Sequence, residues 1–152
     1  MKPSHRDLEI PEFHPCPFCA YLSGRRPFTI LDRNELSAIL VTREQRGIGH
    51  LLVLPVCHAE TISDMAQRES HAVIDDLRRA ALAIEEAYRV SGISVWQNNG
   101  IPADQAIPHV HFHIAGTLPA GGTERGDVTE SPLEETDEIA HRVRPFLRRA
   151  EN

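Results

Sequence analysis

Between residues 28 and 55 the apolar positions come in short bursts broken by turn residues, the pattern of consecutive strands rather than of a helix. Phe28–Arg33 (FTILDR) and Ser37–Thr42 (SAILVT) flank Asn34-Glu35-Leu36, which predicts an antiparallel hairpin with a short loop. Glu44–Gly49 is rich in turn formers and reads as a loop. His50–Pro55 (HLLVLP) is almost continuously apolar, as expected of a strand at the centre of its sheet. The period then changes. Val73, Leu77, Ala80, Ala81, Ile84, Ala87 and Tyr88 recur at helical spacing, so one long helix is expected from a cap at Thr61 or Ser63 to about Val90, with Gly92 at its C′ position. Ile93–Asn99 is expected to be a strand and Gly100–Pro108, with its two prolines, a loop. Strict alternation returns at His109 and lasts to about Thr117. After Leu118-Pro119-Ala120-Gly121-Gly122 the chain is acidic and loop-like. Ile139, Val143, Phe146 and Leu147 then space a terminal helix that Pro145 must kink or end.

Strands grouped around one long helix predict an α+β fold with a mainly antiparallel sheet. The chain divides into an irregular, polar, proline-containing arm over residues 1–15, a domain over 16–117, and an extension over 118–152 with a short helix. With 152 residues, 41% hydrophobic and 25% charged, one globular domain of ordinary composition is expected. The formal net charge of -6 argues against a general nucleic-acid binder but leaves room for a small nucleotide. MKPSHRDLEIPEFHPCPF contains no apolar core of a signal peptide, and no apolar run reaches the length of a membrane span. The expected compartment is therefore the cytoplasm, with no membrane partner. In that reducing setting Cys16 and Cys19 read as metal ligands or free thiols rather than a disulfide.

The densest chemistry lies in His109-Val110-His111-Phe112-His113-Ile114-Ala115. As a strand, it places the three histidines on one face and Val110, Phe112 and Ile114 on the other, in the core. Neighbouring imidazoles on that face are then roughly 6.6 Å apart, close enough to line one small site. Such a row suits metal ligation, or proton transfer and nucleophilic attack near neutral pH. Cys16 and Cys19 form a C-x-x-C pair, a pattern shared by zinc sites and redox pairs; the proline between them and the lack of a βαβ setting weigh against the redox reading. Two further ligands must then come from His14, His50, His58, His71 and the histidine row. His71 falls on the long helix and reads as a solvated side chain, whereas His58 sits beside a turn, a good place for a ligand. His50 and His58 are eight residues apart, roughly 26 Å if extended, so they are expected to serve different sites.

Four blocks in order, C-P-F-C, G-H-L-L-V-L-P-x-x-H, N-N-G and Q-x-x-x-H-V-H-F-H-I-A, resemble the histidine-triad (HIT) superfamily of nucleotide hydrolases and transferases over residues 16–116. The resemblance implies a five-stranded HIT-like sheet, a homodimer and a purine nucleotide or related small molecule as ligand. It implies His111 as nucleophile and His113 as its catalytic companion, with Phe18, His50, Asn98 and Gln105 around the substrate. It also implies a structural zinc on Cys16, Cys19, His58 and His109, and no organic cofactor. The implied activity is hydrolysis of nucleoside 5′-phosphate derivatives, phosphoramidates or dinucleoside polyphosphates, through a nucleotidyl-histidine. Nucleotidyl transfer or phosphorolysis, and a binding adaptor with little turnover, are the alternatives on the same pocket. Two departures bear on substrate. The family's usual G-Q-[ST] is Asp104-Gln105-Ala106 here, without the hydroxyl, and its ribose-binding acid is Thr42.

Overall fold

The computed structural model describes residues 7–148. The first element is a short helix, α1 (Pro17–Leu22), which the sequence pattern did not announce. Its start is set by Cys16, which has extended backbone and accepts the Cys19 amide on its sulfur, while proline at the first helical position removes a donor that no carbonyl would meet.

The expected hairpin follows as β1 (Ile30–Arg33) and β2 (Ser37–Val41). Asn34 closes the loop by accepting the Leu36 and Ser37 amides on its side-chain oxygen. β3 (Ile48–Pro55) begins two residues before the predicted His50. The long helix α2 (Gln67–Tyr88) is shorter than predicted at both ends. Thr61 caps a separate 3₁₀ turn, Ile62–Asp64, and Met65 is extended before the helix starts. At the other end Arg89, not Gly92, takes the left-handed conformation, at φ 57°, and its amide bonds to the Glu85 carbonyl.

β4 (Ile93–Trp96) ends three residues short of Asn99, and the loop after it holds a 3₁₀ turn at Ile101–Ala103. β5 covers only Phe112–Gly116, so His109 and His111 precede the strand instead of lying on it. The reason is local: the Val110 amide bonds to Ala59 and the His109 ring to Pro55, which draws this segment off the ladder. The terminal helix α3 (Leu133–Val143) gives way at Arg144 to a 3₁₀ turn containing Pro145, which ends the helix.

The sheet has five antiparallel strands in the order β1-β2-β3-β5-β4, with β3 at its centre. Alternation sorts side chains onto its two faces. Ile39, Val41, Leu51, Val53 and Ile114 meet Val73, Leu77, Ala80 and Ile84 of α2 and Ala140 and Val143 of α3. Residues 133–147 therefore share the main core. Ala38, Leu40, Leu52 and Leu54 lie on the other face, under Phe18 and Leu22 of α1. Burial on both faces explains why β2 and β3 read as unbroken apolar runs.

One irregularity positions the site. The β3–β5 register shifts between Ile48 and Leu51, where Gly49 has φ +61° and a Cβ would lie 2.6 Å from the Tyr88 ring. The bulge needs glycine there, and it sets the backbone of the next residue, His50, on the face away from α2.

Candidate active site

Two clusters of histidine meet on the α1 face of the sheet. The first joins Cys16 and Cys19 at the start of α1, His58 in the turn after β3, and His109 just ahead of β5; their ligand atoms all lie within 4.8 Å of one another. Cys16 Sγ is 3.5 Å from His109 Nδ1, Cys19 Sγ is 3.4 Å from His58 Nδ1, and Cys19 Sγ is 3.6 Å from His109 Nδ1. A tetrahedral zinc with bonds of about 2.3 Å to sulfur and 2.05 Å to nitrogen has sulfur–nitrogen edges of about 3.6 Å, so the spacing suits that ion. The donor set is the S₂N₂ combination that favours it. The fully buried His109 turns its other nitrogen, Nε2, to the Pro55 carbonyl at 2.9 Å. A carbonyl only accepts, so Nε2 carries the proton and Nδ1 presents its lone pair to the cluster.

The second cluster is His111, His113 and His50, and the same reasoning assigns each tautomer. His111 Nδ1 lies 2.7 Å from the His109 carbonyl, so the proton of the neutral ring is on Nδ1 and the lone pair on Nε2. The backbone N–H of Arg46 donates to His50 Nδ1 at 3.0 Å; the Glu44 carbonyl also favours a proton on this ring, but it makes no bond of comparable geometry, so the His50 proton is placed on Nε2. That N–H faces His113 Nδ1 at 3.0 Å and must donate to it. His113 consequently keeps its own proton on Nε2, free to be given to another group. A nucleophilic lone pair and a hydrogen-bond donor thus stand on neighbouring rings, with centroids 5.0 Å apart.

Burial lowers the pKa of His50, His109, His111 and His113, because an imidazolium is poorly solvated there. For His50 burial outweighs the Glu44 carbonyl and brings the value to about 4. For His109 burial outweighs the Pro55 carbonyl and also brings it to about 4. His111 is lowered by burial against the pull of the His109 carbonyl, and His113 by burial and then by His111, His50 and Arg46. The neutral forms assumed above are therefore the forms present at pH 7.

The other expected site residues are placed unevenly. Phe18, only 3% exposed, packs at 4.9 Å between ring centroids against His111 and backs that ring more than it offers open surface. Asn98 is half-buried in the loop after β4. Gln105 is buried and spends its amide on backbone: its oxygen accepts the Gly100 N–H, and its nitrogen donates to the Glu60 and Ile107 carbonyls. It shapes the loop instead of reaching a ligand directly. His50 has no exposed surface and reaches a substrate only through His113. Thr42 is buried and its hydroxyl accepts the Glu44 amide, whereas Ala106 is exposed.

Sequence reasoning missed Trp96. Its ring stacks on His113 with centroids 4.8 Å apart and planes 1° from parallel, and it also touches His50. The signal was the strand register, which pairs Trp96 with His113.

A family model described as the HIT domain matches residues 24–119. Adenosine 5′-monophosphoramidase of Schizosaccharomyces pombe is 32% identical over 100 residues, which are 65% of this chain and 71% of that protein. Among solved structures, a HIT-like protein from Bartonella henselae involved in cell-cycle regulation superposes with TM-score 0.80 at 22% identity, covering 90% of this chain and 99% of that one. A zinc-bound histidine triad family protein from Mycobacterium smegmatis superposes with TM-score 0.74 at 24% identity, covering 88% and 93%.

Proposed function

The chain belongs to the HIT domain family, and from that premise we propose that it hydrolyses nucleoside 5′-phosphate derivatives, phosphoramidates before dinucleoside polyphosphates, through a nucleotidyl group held on His111. The observation that carries this reading is the His111 tautomer: the His109 carbonyl takes the Nδ1 proton and leaves Nε2 ready to attack phosphorus.

In the first step His111 Nε2 forms a bond to the α-phosphorus, and the bond from phosphorus to the amine or phosphate leaving group breaks. The nitrogen lone pair becomes the new bond, so the ring acquires positive charge, which the His109 carbonyl stabilises through the Nδ1 proton. His113 donates its Nε2 proton in a hydrogen bond to the phosphoryl oxygens or the departing atom, where charge develops. Asn98, half-buried in the loop after β4, would add a polar contact to the phosphate. A phosphoramidate enters with its nitrogen already protonated and departs as the free amine, and a polyphosphate departs as its anion, so neither takes a proton from the rings. Water then attacks phosphorus and gives one proton to solvent, the P–N bond breaks with its electrons returning to Nε2, and the nucleotide leaves with the neutral ring restored.

Cys16, Cys19, His58 and His109 would hold a zinc ion whose role is structural, since four protein ligands leave no position for water. It would tie α1 and the turn after β3 to the residue whose carbonyl orients His111. Among the described residues no helix is long and apolar enough to cross a membrane. A homodimer in the cytoplasm fits this reading: β4 is an edge strand and Val95 on it is 52% exposed. A monomer mass by light scattering at micromolar protein contradicts the dimer.

Purified protein offered adenosine and guanosine phosphoramidates alongside dinucleoside polyphosphates tests the activity. Release of the nucleoside monophosphate from the phosphoramidates is expected. Tight nucleotide binding with no product from any of them contradicts the hydrolase and favours the adaptor.

A further inference from the structure

The extension after β5 does not simply cover the core. From Leu118 the chain reverses through Gly122, with the Gly121 amide on the Leu118 carbonyl at 2.8 Å and the Leu118 amide on the Gly122 carbonyl at 3.0 Å. It then runs back along the loop that precedes β3. The Glu124 N–H donates to the Arg46 carbonyl at 2.7 Å, and the Ser131 N–H to the Arg43 carbonyl at 2.8 Å. Arg43 returns the contact, from Nε to the Ser131 carbonyl at 2.8 Å and as an ion pair with Glu130 at 3.2 Å. The Arg46 guanidinium donates to the Gly126 carbonyl. On its inner side the same loop is held by Gln45, whose amide bridges the Thr42 and His50 carbonyls and accepts the His50 N–H.

Arg46 is therefore fixed from both directions. Its carbonyl is taken from outside by Glu124, and its N–H is aimed inward at His50 Nδ1. That inward N–H is the group that decides the tautomers of His50 and His113. If it turned away, His50 Nδ1 would be free to hold the proton and His50 Nε2 to accept, which would move the His113 proton from Nε2 to Nδ1. His113 would then meet a phosphoryl oxygen with a lone pair.

We propose that Glu124 is a positioning residue: its backbone N–H, through Arg46 and His50, holds His113 as a hydrogen-bond donor. The consequence for turnover rests on the reading of His113 given above, whereas the tautomer itself does not.

Two variants separate the amide from the side chain. Glu124→Ala keeps the N–H and removes the carboxylate; Glu124→Pro removes the N–H as well. In protein labelled with ¹⁵N at histidine, NMR without substrate is expected to find wild type and Glu124→Ala with His50 and His113 both protonated on Nε2. Glu124→Pro is expected to give a mixture of tautomers at both rings, with KM unchanged and kcat lowered by the fraction of His113 that has lost its Nε2 proton, about twofold for an equal mixture. A Glu124→Pro spectrum matching that of Glu124→Ala overturns the proposal. Should Glu124→Pro fail to fold, semisynthetic protein with the α-hydroxy acid analogue of glutamate at position 124 replaces the N–H by an ester oxygen and removes the same hydrogen bond without a proline ring. It must mix the tautomers too, and unchanged rings there also overturn the proposal. A protein that cleaves no nucleotide derivative, yet loses its single tautomer in Glu124→Pro, removes the hydrolase and leaves the positioning role standing.

Discussion

Replacing His50 with Gln tests whether the buried imidazoles are held neutral by their surroundings. His50 has no exposed surface, and burial brings its pKa from 6.5 to about 4. A value depressed in the folded state means that the unfolded chain takes up the proton first. The stability associated with neutral His50 is thus complete above about pH 6.5 and is lost as pH falls toward about 4. The drop from 6.5 to about 4, at about 1.4 kcal/mol per unit, makes about 3 kcal/mol in all, of which about 2 kcal/mol is spent by pH 5. Near neutral pH, His50→Gln leaves the Arg46 N–H or the His113 ring short of a partner and should cost about 1–3 kcal/mol. Urea denaturation of both proteins at about pH 7.5, 6 and 5 measures the difference, in which carboxylate titration and any loss of metal are common to both. The variant should start less stable, and the gap should close by about 2 kcal/mol by pH 5. Two stability curves that stay parallel across this range would refute the burial argument.

Zinc analysis of purified protein should find close to one ion per chain, and Cys16→Ser or a chelator should lower the melting temperature, since the metal ties together segments otherwise far apart in sequence; metal-free protein of equal stability would remove the site. His113→Ala should lower kcat by about 10²–10³-fold, the usual loss for one donor to developing charge, with little change in KM; steady-state kinetics decide. Ala106→Ser restores the hydroxyl of the family's usual loop pattern and should speed cleavage of poor leaving groups such as alkyl amines while good ones barely respond; an equal effect on both would mean that the loop acts on binding alone.

The sheet was legible because its strands obey simple burial rules. The hairpin of Phe28–Arg33 and Ser37–Thr42 matches β1 and β2, and the unbroken run HLLVLP belongs to the central strand. The convergence of Cys16, Cys19, His58 and His109 was also within reach, since the family's order of two cysteines and two histidines brings their ligand atoms into one group able to hold a metal ion. What escaped depends on bonds that leave no periodic trace. The alternation of the histidine segment suggested one strand, but the ring of His109 and the amide of Val110 are drawn to Pro55 and Ala59, and the ladder starts only at Phe112. α2 ends on Arg89 although glycine follows at 92, because the Glu85 carbonyl is already capped there. Trp96 and Arg46 act through a cross-strand register and a backbone amide, neither of which the residue type alone discloses.

The central claim is the covalent nucleotide on His111. Protein mixed with adenosine 5′-phosphoramidate radiolabelled at the α-phosphate, quenched within milliseconds in alkaline denaturant to spare the acid-labile P–N bond, should carry label and gain the mass of one adenylyl group on the peptide containing His111. His111→Asn should carry none and should release no product while still binding nucleotide. Turnover without bound label at any time, or label that persists in His111→Asn, would contradict the account.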